Sequence, residues 1–219
     1  MRDCKIILAR HGQTEWNKEY RFQGRTNVNL TEEGKKQAHS LSARLLRWKP
    51  EVVYTSPLDR ALYTATEIAR PHNLEPVIIP ELEEINFGTW EGRSILALKD
   101  EESEIYSKWR SDPFFNMPEG AETWEDISRR LTRAAEIMLE GNYTRIVAVS
   151  HGGVMRALYA VMLGLNPHKT WNIEVSNCSV SGIEIAGGQK YLSFLNDYLH
   201  VAAGKTGENL PLWGEIYEH

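Results

Sequence analysis

The sequence predicts an α/β fold, a three-layer α/β/α sandwich with a mostly parallel central sheet and a helical lid insertion. Apolar runs of strand length alternate with stretches of helical period, the pattern of a sheet covered by helices on both faces. Two of those runs, 6–9 and 146–149, end in a polar tip that carries a His-Gly pair. The chain has 219 residues, 42% hydrophobic and 25% charged, enough for one substantial core, and no internal repeat or linker divides it.

Taken in order, Ile6 to Ala9 reads as a short buried strand that runs into Arg10-His11-Gly12. Open α/β sheets bind ligands beyond the C-terminal ends of their strands. Arg binds phosphate oxygens bidentately, His is a nucleophile near neutral pH, and Gly admits an anion to the backbone. The triplet points to phosphoryl chemistry on histidine, or else it merely ends a strand with polar residues. Thr31 with Glu32 and Glu33 starts a helix whose apolar stripe is Ala38, Leu41, Leu45 and Trp48.

Val52 to Tyr54 is the next strand. Ser56 suits an N-cap and Pro57 the first helical position, so a helix is expected from about Pro57 to Ala69, stopped by Pro71. Arg60 then lies in a first helical turn, where a cation opposes the dipole unless an anion is bound nearby; pairing with Asp59 or Glu67 is the alternative. A short strand at Val77 to Ile79 comes next. In the stretch 81–92, acids alternate with Leu82, Ile85, Phe87 and Trp90. A carboxylate among apolar groups can be a proton donor; Glu81, Glu83 and Glu91 are expected to be solvated.

Residues 93–122 lose the alternating rhythm. They are expected to form a lid or wall carrying Tyr106, Trp109, Phe114 and Phe115, or a packing excursion over the sheet edge. Thr123 with Asp126 makes a capping-box pattern before Ile127, Leu131, Ala134 and Met138. Ile146 to Val149 repeats the first design and runs into Ser150-His151-Gly152-Gly153. Val154 to Leu163 is apolar nearly all round, a buried helix ended by Gly164. Two strands, Ser179 to Ile185 and Lys190 to Asn196, turn at Gly187-Gly188. The tail 199–219, with Gly204, Gly207, Pro211 and Trp213, is expected to pack over the domain or to mediate self-association as a homodimer.

Formal net charge is −5 and the pI about 5.8, which argues against nucleic-acid and anionic-membrane partners and leaves a small anionic substrate drawn to local arginines. No run approaches the ~18 apolar residues of a membrane span and the first residues do not read as a leader, so the cytoplasm is expected. Cys4 and Cys178 are at no metal-like spacing and read as reduced structural thiols. His39, His72, His168, His200 and His219 lack partners at ligand spacing, and no carboxylate completes a set with His11 and His151; neither metal nor cofactor is expected.

From about Lys5 to Val201 the motifs together resemble the histidine phosphatase superfamily, whose best-known branch is the cofactor-dependent phosphoglycerate mutases. They are Arg10-His11-Gly12, Trp16-Asn17, Phe22-Gln23-Gly24, Leu30-Thr31 with Gly34, Ser56-Pro57-Leu58 with Arg60-Ala61 and Thr64-Ala65, Glu84 with Phe87-Gly88 and Trp90-Glu91-Gly92, and Ser150-His151-Gly152-Gly153. Asn177-Cys178-Ser179 and Leu195-Asn196-Asp197 match as well. The resemblance implies that the whole chain, 1–219, is one such domain, that His11 becomes phosphohistidine, and that Arg10, Arg60 and His151 surround the phosphoryl group. It implies a hydrogen bond from Asn17, help from Gln23 and from the N–H groups of Gly24 and Gly152, and proton donation by Glu84. Two guanidiniums and an imidazolium would supply positive charge without a metal and keep His11 neutral.

The interval from Glu84 to His151 is short, and its first half offers only Arg93, Lys99, Lys108 and Arg110 among acids and aromatics. That suits hydrolysis better than mutase chemistry. Tyr106, Trp109 and Asp112-Pro113, with the loop Pro118-Glu119-Gly120, resemble the branch of broad-specificity and α-ribazole phosphatases, although Ala121 stands where that branch commonly has Gly. The expected activity is metal-independent phosphomonoester hydrolysis on a small phosphorylated metabolite, with α-ribazole 5'-phosphate one candidate. The alternatives are a cofactor-dependent phosphoglycerate mutase and a non-catalytic protein-binding member, which would need a broken catalytic set.

Overall fold

The computed structural model describes residues 2–202. Its strands are β1 (Cys4–Arg10), β2 (Val52–Thr55), β3 (Val77–Ile78), β4 (Arg145–Ser150), β5 (Val180–Ala186) and β6 (Gln189–Asp197). Its helices are α1 (Glu15–Lys18), α2 (Glu32–Leu45), α3 (Asp59–Ala69), α4 (Ile95–Glu101), α5 (Ser103–Ser111), α6 (Trp124–Glu140), α7 (Gly152–Leu163), α8 (Pro167–Thr170) and α9 (Leu199–Ala202). The six-stranded sheet has the order β3-β2-β4-β1-β5-β6. Pairings among β1 to β4 are parallel, and β5 and β6 add an antiparallel margin.

Period-two alternation divides β1 between two cores. Ile6 and Leu8 enter the larger apolar cluster with the buried residues of α6 and α7, while Ile7 and Ala9 enter a second cluster with Ala38, Leu41 and Leu45 of α2 and Ala61, Ala65 and Ile68 of α3. This is the three-layer arrangement expected. β1 and β4 lie side by side in parallel with Arg10 opposite Ser150, so His11 and His151 leave the sheet together.

Helix starts obey local capping. Thr31 Oγ1 accepts the Gly34 N–H at the start of α2, and Thr123 Oγ1 accepts the Asp126 N–H at the start of α6. The start of α3 differs from expectation: it begins at Asp59 with Leu58 as N-cap, so Ser56 is no cap and Pro57 lies before the helix. The Ser56 hydroxyl accepts the Leu58 N–H across a bend at 57–58 and is shared with His151, so the helix starts only at Asp59. Arg60 stays in the first turn as expected.

Segment 93–122 folds as α4, α5 and a return loop that packs into the larger core. The Trp109 ring centroid lies 5.1 Å from Phe22, 5.6 Å from Trp90 and 5.6 Å from Trp171, and Phe114 lies 5.1 Å from Trp171. Phe115 is exposed and stacks on His168 at 4.2 Å, while His168 Nδ1 pairs with Asp112 at 2.7 Å. Of the expected C-terminal tail 199–219, residues 203–219 lie outside the described residues.

Candidate active site

His11 and His151 stand at the ends of β1 and β4 with ring centroids 5.1 Å apart, both buried. The His11 N–H donates to the Ser150 carbonyl, extending the ladder by one residue. His11 Nδ1 lies 2.7 Å from the Gly12 carbonyl. A carbonyl only accepts, so the proton sits on Nδ1 and the lone pair is on Nε2. Burial, then Arg60 and Arg10, push the pKa of His11 well below its ordinary value. The ring is neutral at physiological pH.

Arg60 is 1% exposed. Its Nη1 donates to the Thr26 carbonyl at 2.8 Å and its Nη2 to the Gly24 carbonyl at 2.7 Å. Arg10 Nη1 donates to the Val175 carbonyl at 2.7 Å. Burial lowers both guanidinium pKa values to about 10, so both remain charged near pH 7. The Nε of Arg10, the Nε of Arg60 and Nδ1 of His151 are buried with no hydrogen-bond partner among the described residues, as is Oε1 of Gln23. Buried polar groups are rarely left so, and the three nitrogens around a neutral imidazole are groups that could donate to ligand oxygens.

Burial, then Arg60 and His11, hold the pKa of His151 well below its ordinary value. The standing charge comes from Arg10, Arg60 and Arg156, a residue that no motif singles out. Arg156 lies one turn into α7, with Nε on the Ile173 carbonyl at 2.9 Å, Nη1 on the Gly152 carbonyl at 3.0 Å and the guanidinium 5.1 Å from the Trp171 ring centroid. The signal for it in the sequence is a lone Arg inside an apolar helix, one turn past His-Gly-Gly.

Glycine at position 12 has a different reason from the one expected. A Cβ there would come within 2.3 Å of the Gly34 carbonyl oxygen, and its N–H already donates to Thr64 Oγ1. The residue lets the strand end abut the start of α2 and is not an anion donor. Gly24 adopts φ +53°, and a Cβ there would lie 1.8 Å from Glu91 Oε1. Its carbonyl accepts from Arg60 and so holds that guanidinium. Glu91 accepts from the Arg25 N–H, Thr26 Oγ1 and the Phe87 N–H, so it clasps this loop and is not the solvated acid expected.

Glu84 Oε1 accepts from the Ile85 and Val154 N–H groups at 3.0 and 3.2 Å, and Oε2 from the Gly153 N–H at 3.3 Å. The Gly153 and Val154 donors belong to the open start of α7, beside the Gly152 N–H. Backbone N–H dipoles therefore hold the buried Glu84 carboxylate, with the side chain of buried Ile85 close by. A Cβ at Gly153 would lie 2.8 Å from Glu84 Oε1, which is why Gly stands there. Asn17 Oδ1 accepts from the Thr14 N–H and Thr14 Oγ1, both at 3.1 Å. That engagement leaves its Nδ2 hydrogens to donate. Among the described residues no cluster of three or more His, Cys, Asp or Glu could hold a metal ion, and no helix is long and apolar enough to cross a membrane.

This architecture has close counterparts. The model of the histidine phosphatase superfamily (branch 1) matches residues 6–198. Phosphoserine phosphatase 1 of Hydrogenobacter thermophilus is 33% identical over 90% of this chain and 94% of its own. A probable phosphoglycerate mutase of Yersinia enterocolitica is 33% identical over 82% of this chain and 84% of its own. The crystal structure of a putative α-ribazole-5'-P phosphatase from Escherichia coli superposes with a TM-score of 0.81 at 32% identity, covering 90% of this chain and 98% of that one. The chain belongs to the histidine phosphatase superfamily. It is an enzyme of the phosphoric monoester hydrolase class.

Proposed function

We propose that the protein hydrolyses a small phosphomonoester through a phosphohistidine on Nε2 of His11, without a metal or cofactor. One observation carries this reading: the neutral His11 has its lone pair on Nε2 and sits among buried, unpartnered nitrogens of Arg10, Arg60 and His151. Phosphoryl transfer asks chiefly for such positioning and charge stabilisation. In the tautomer in which Ser56 donates to His151 Nε2, Nδ1–H of His151 is a donor to the phosphoryl oxygens. Entry of the phosphate dianion then favours protonation of that ring, which supplies the expected imidazolium.

In the first step His11 Nε2 attacks phosphorus, the P–O ester bond breaks, and the leaving oxygen takes a proton from Glu84. Asn17 Nδ2, Gln23 and the Gly152 N–H assist on the equatorial oxygens. In the second step a water gives its proton to Glu84, its oxygen bonds to phosphorus, and the N–P bond breaks to free His11. The N–H groups of Gly153 and Val154 would hold the carboxylate between these two steps.

Hydrolysis is favoured over isomerisation by segment 93–122, whose Arg93 is consumed by ion pairs with Glu101 and Glu102 and whose Lys108 pairs with Glu104. Few cations remain there for a phosphoglycerate carboxylate, and the segment reads as an aromatic wall beside the site. Phosphoserine and α-ribazole 5'-phosphate, named for relatives, are the first substrates to try. The buried free thiols of Cys4 and Cys178 support a reducing, cytoplasmic setting. Homodimerisation remains part of the proposal, on the strength of the Pro- and Trp-bearing tail sequence. The test compares phosphate release with 3-phosphoglycerate isomerisation, bisphosphoglycerate supplied. Hydrolysis should dominate; faster isomerisation would favour the mutase, and turnover of no phosphomonoester would favour a binding module.

A further inference from the structure

We infer that Asn177 is a positioning residue of the phosphoryl site, fixing both the Asn17 amide and the backbone of the nucleophile. The inference rests on the phosphohistidine reading above. Asn177 lies in the turn between α8 and β5, far along the chain from the residues it touches. Its Nδ2 donates to the His11 carbonyl at 3.2 Å and to Asn17 Oδ1 at 3.1 Å. An amide nitrogen carries two hydrogens, so these bonds use its whole donor capacity.

The bond to Asn17 adds a second N–H donor to that of Thr14 in setting which way that amide faces. Thr14 N–H and Thr14 Oγ1 approach the same Oδ1, and the Asn17 N–H donates back to Thr14 Oγ1. Thr14 Oγ1 could tolerate a flipped Asn17 by accepting from it; the Thr14 and Asn177 N–H donors could not. With Asn177 present Oδ1 is saturated, and Nδ2 of Asn17 is the face left for a phosphoryl oxygen. The bond to His11 acts on the main chain. The Cys178 N–H meets the same His11 carbonyl at 3.2 Å from a residue at φ +54°. That left-handed conformation is costly for a non-glycine and aims two successive residues at one carbonyl. Ser176 anchors the other side of the turn by donating its N–H to Asn196 Oδ1 at 2.8 Å. The turn is thus held from β6 and presents Asn177 to the loop after β1.

The experiment is a double-mutant cycle of Asn177→Ala and Asn17→Ala, read by kcat/KM on a phosphomonoester and by calorimetric affinity for vanadate. Asn177→Ala should lower both by about tenfold, the order of one charge-assisted hydrogen bond, with melting temperature nearly unchanged. In the Asn17→Ala background the same change should cost less than about threefold, because the amide it orients is gone. Full additivity, or no effect of Asn177→Ala on vanadate affinity, would overturn the proposal. Should the Ala variant not fold, Asn177→Asp replaces the donors by oxygens facing two acceptors and must lose at least as much vanadate affinity; an Asp variant binding like wild type would also overturn it. Activity of His11→Ala, measured alongside, reports separately on the phosphohistidine reading.

Discussion

His11 and His151 look alike in sequence, each ending an apolar strand and preceding a glycine, and they stand side by side in the sheet. The chain beyond each of them differs. After His11 it turns back over the Gly12 carbonyl, which fixes the proton on Nδ1 and bares Nε2. After His151 it enters α7 at once, the first N–H groups of that helix hold Glu84, and the ring is tied through Nε2 to a serine hydroxyl. A carbonyl partner commits a histidine to one tautomer, whereas a hydroxyl, donor and acceptor both, leaves it free to gain a proton. The first is suited to be the nucleophile and the second to be a charge that arises when phosphate arrives.

The largest expected effect is that of His11→Ala, which should lower phosphate release by about 10⁴-fold or more, the scale of removing a nucleophile. An equal loss in both histidine variants, with phosphohistidine still formed without His11, would erase the distinction between them. Glu84→Gln should cost about 10²–10⁴-fold on alkyl phosphates and far less on p-nitrophenyl phosphate, whose leaving group needs no proton. Equal losses on both esters would reduce Glu84 to a cap on α7. His151→Ala should lower kcat by about 10²–10³-fold, as for loss of an oxyanion donor, while a slow phosphorylation of His11 persists.

Smaller effects sharpen the same contrast. The folded-state pKa of His200 is lowered to about 4 by burial, and those of His11 and His151 fall well below the ordinary value. Below pH 6.5 the unfolded chain therefore binds more protons than the folded one. Stability should be full above about pH 6.5 and fall toward pH 4 by about 1.4 kcal/mol per pH unit for each such histidine. Urea melts across that range check it, and His200→Gln should flatten the slope. A stability independent of pH there would mean these rings titrate normally. Ser56→Ala should be mildest, about fivefold in kcat, the worth of one neutral hydrogen bond; a loss as large as that of His151→Ala would assign the hydroxyl a direct part in transfer.

Much of this is legible in the residues. Strand-length apolar runs before His11 and His151, the Thr31 and Thr123 caps and the apolar stripes of α2 and α6 all use local signals, and the structure obeys them. Expectation fails where a side chain is claimed by a distant partner. Ser56 reads as a cap because sequence does not show that His151 reaches its hydroxyl. Glu91 reads as solvated because the loop it clasps lies far back in the chain. Arg156 hides in an apolar helix, and Asn177 stands out only as part of a matching motif, since the pairing of β1 with β5 brings its two acceptors to it.

The most direct measurement of the central claim is to mix enzyme with an excess of a labelled aryl phosphate, quench within the first turnover in base, and map the label by peptide mass spectrometry. Wild type and Glu84→Gln should carry one acid-labile, base-stable phosphoryl group on Nε2 of His11, His151→Ala should carry it more slowly, and His11→Ala should carry none. A label found on His151, or a burst of aryl alcohol ahead of phosphate from a wild type that carries no label, would contradict the account.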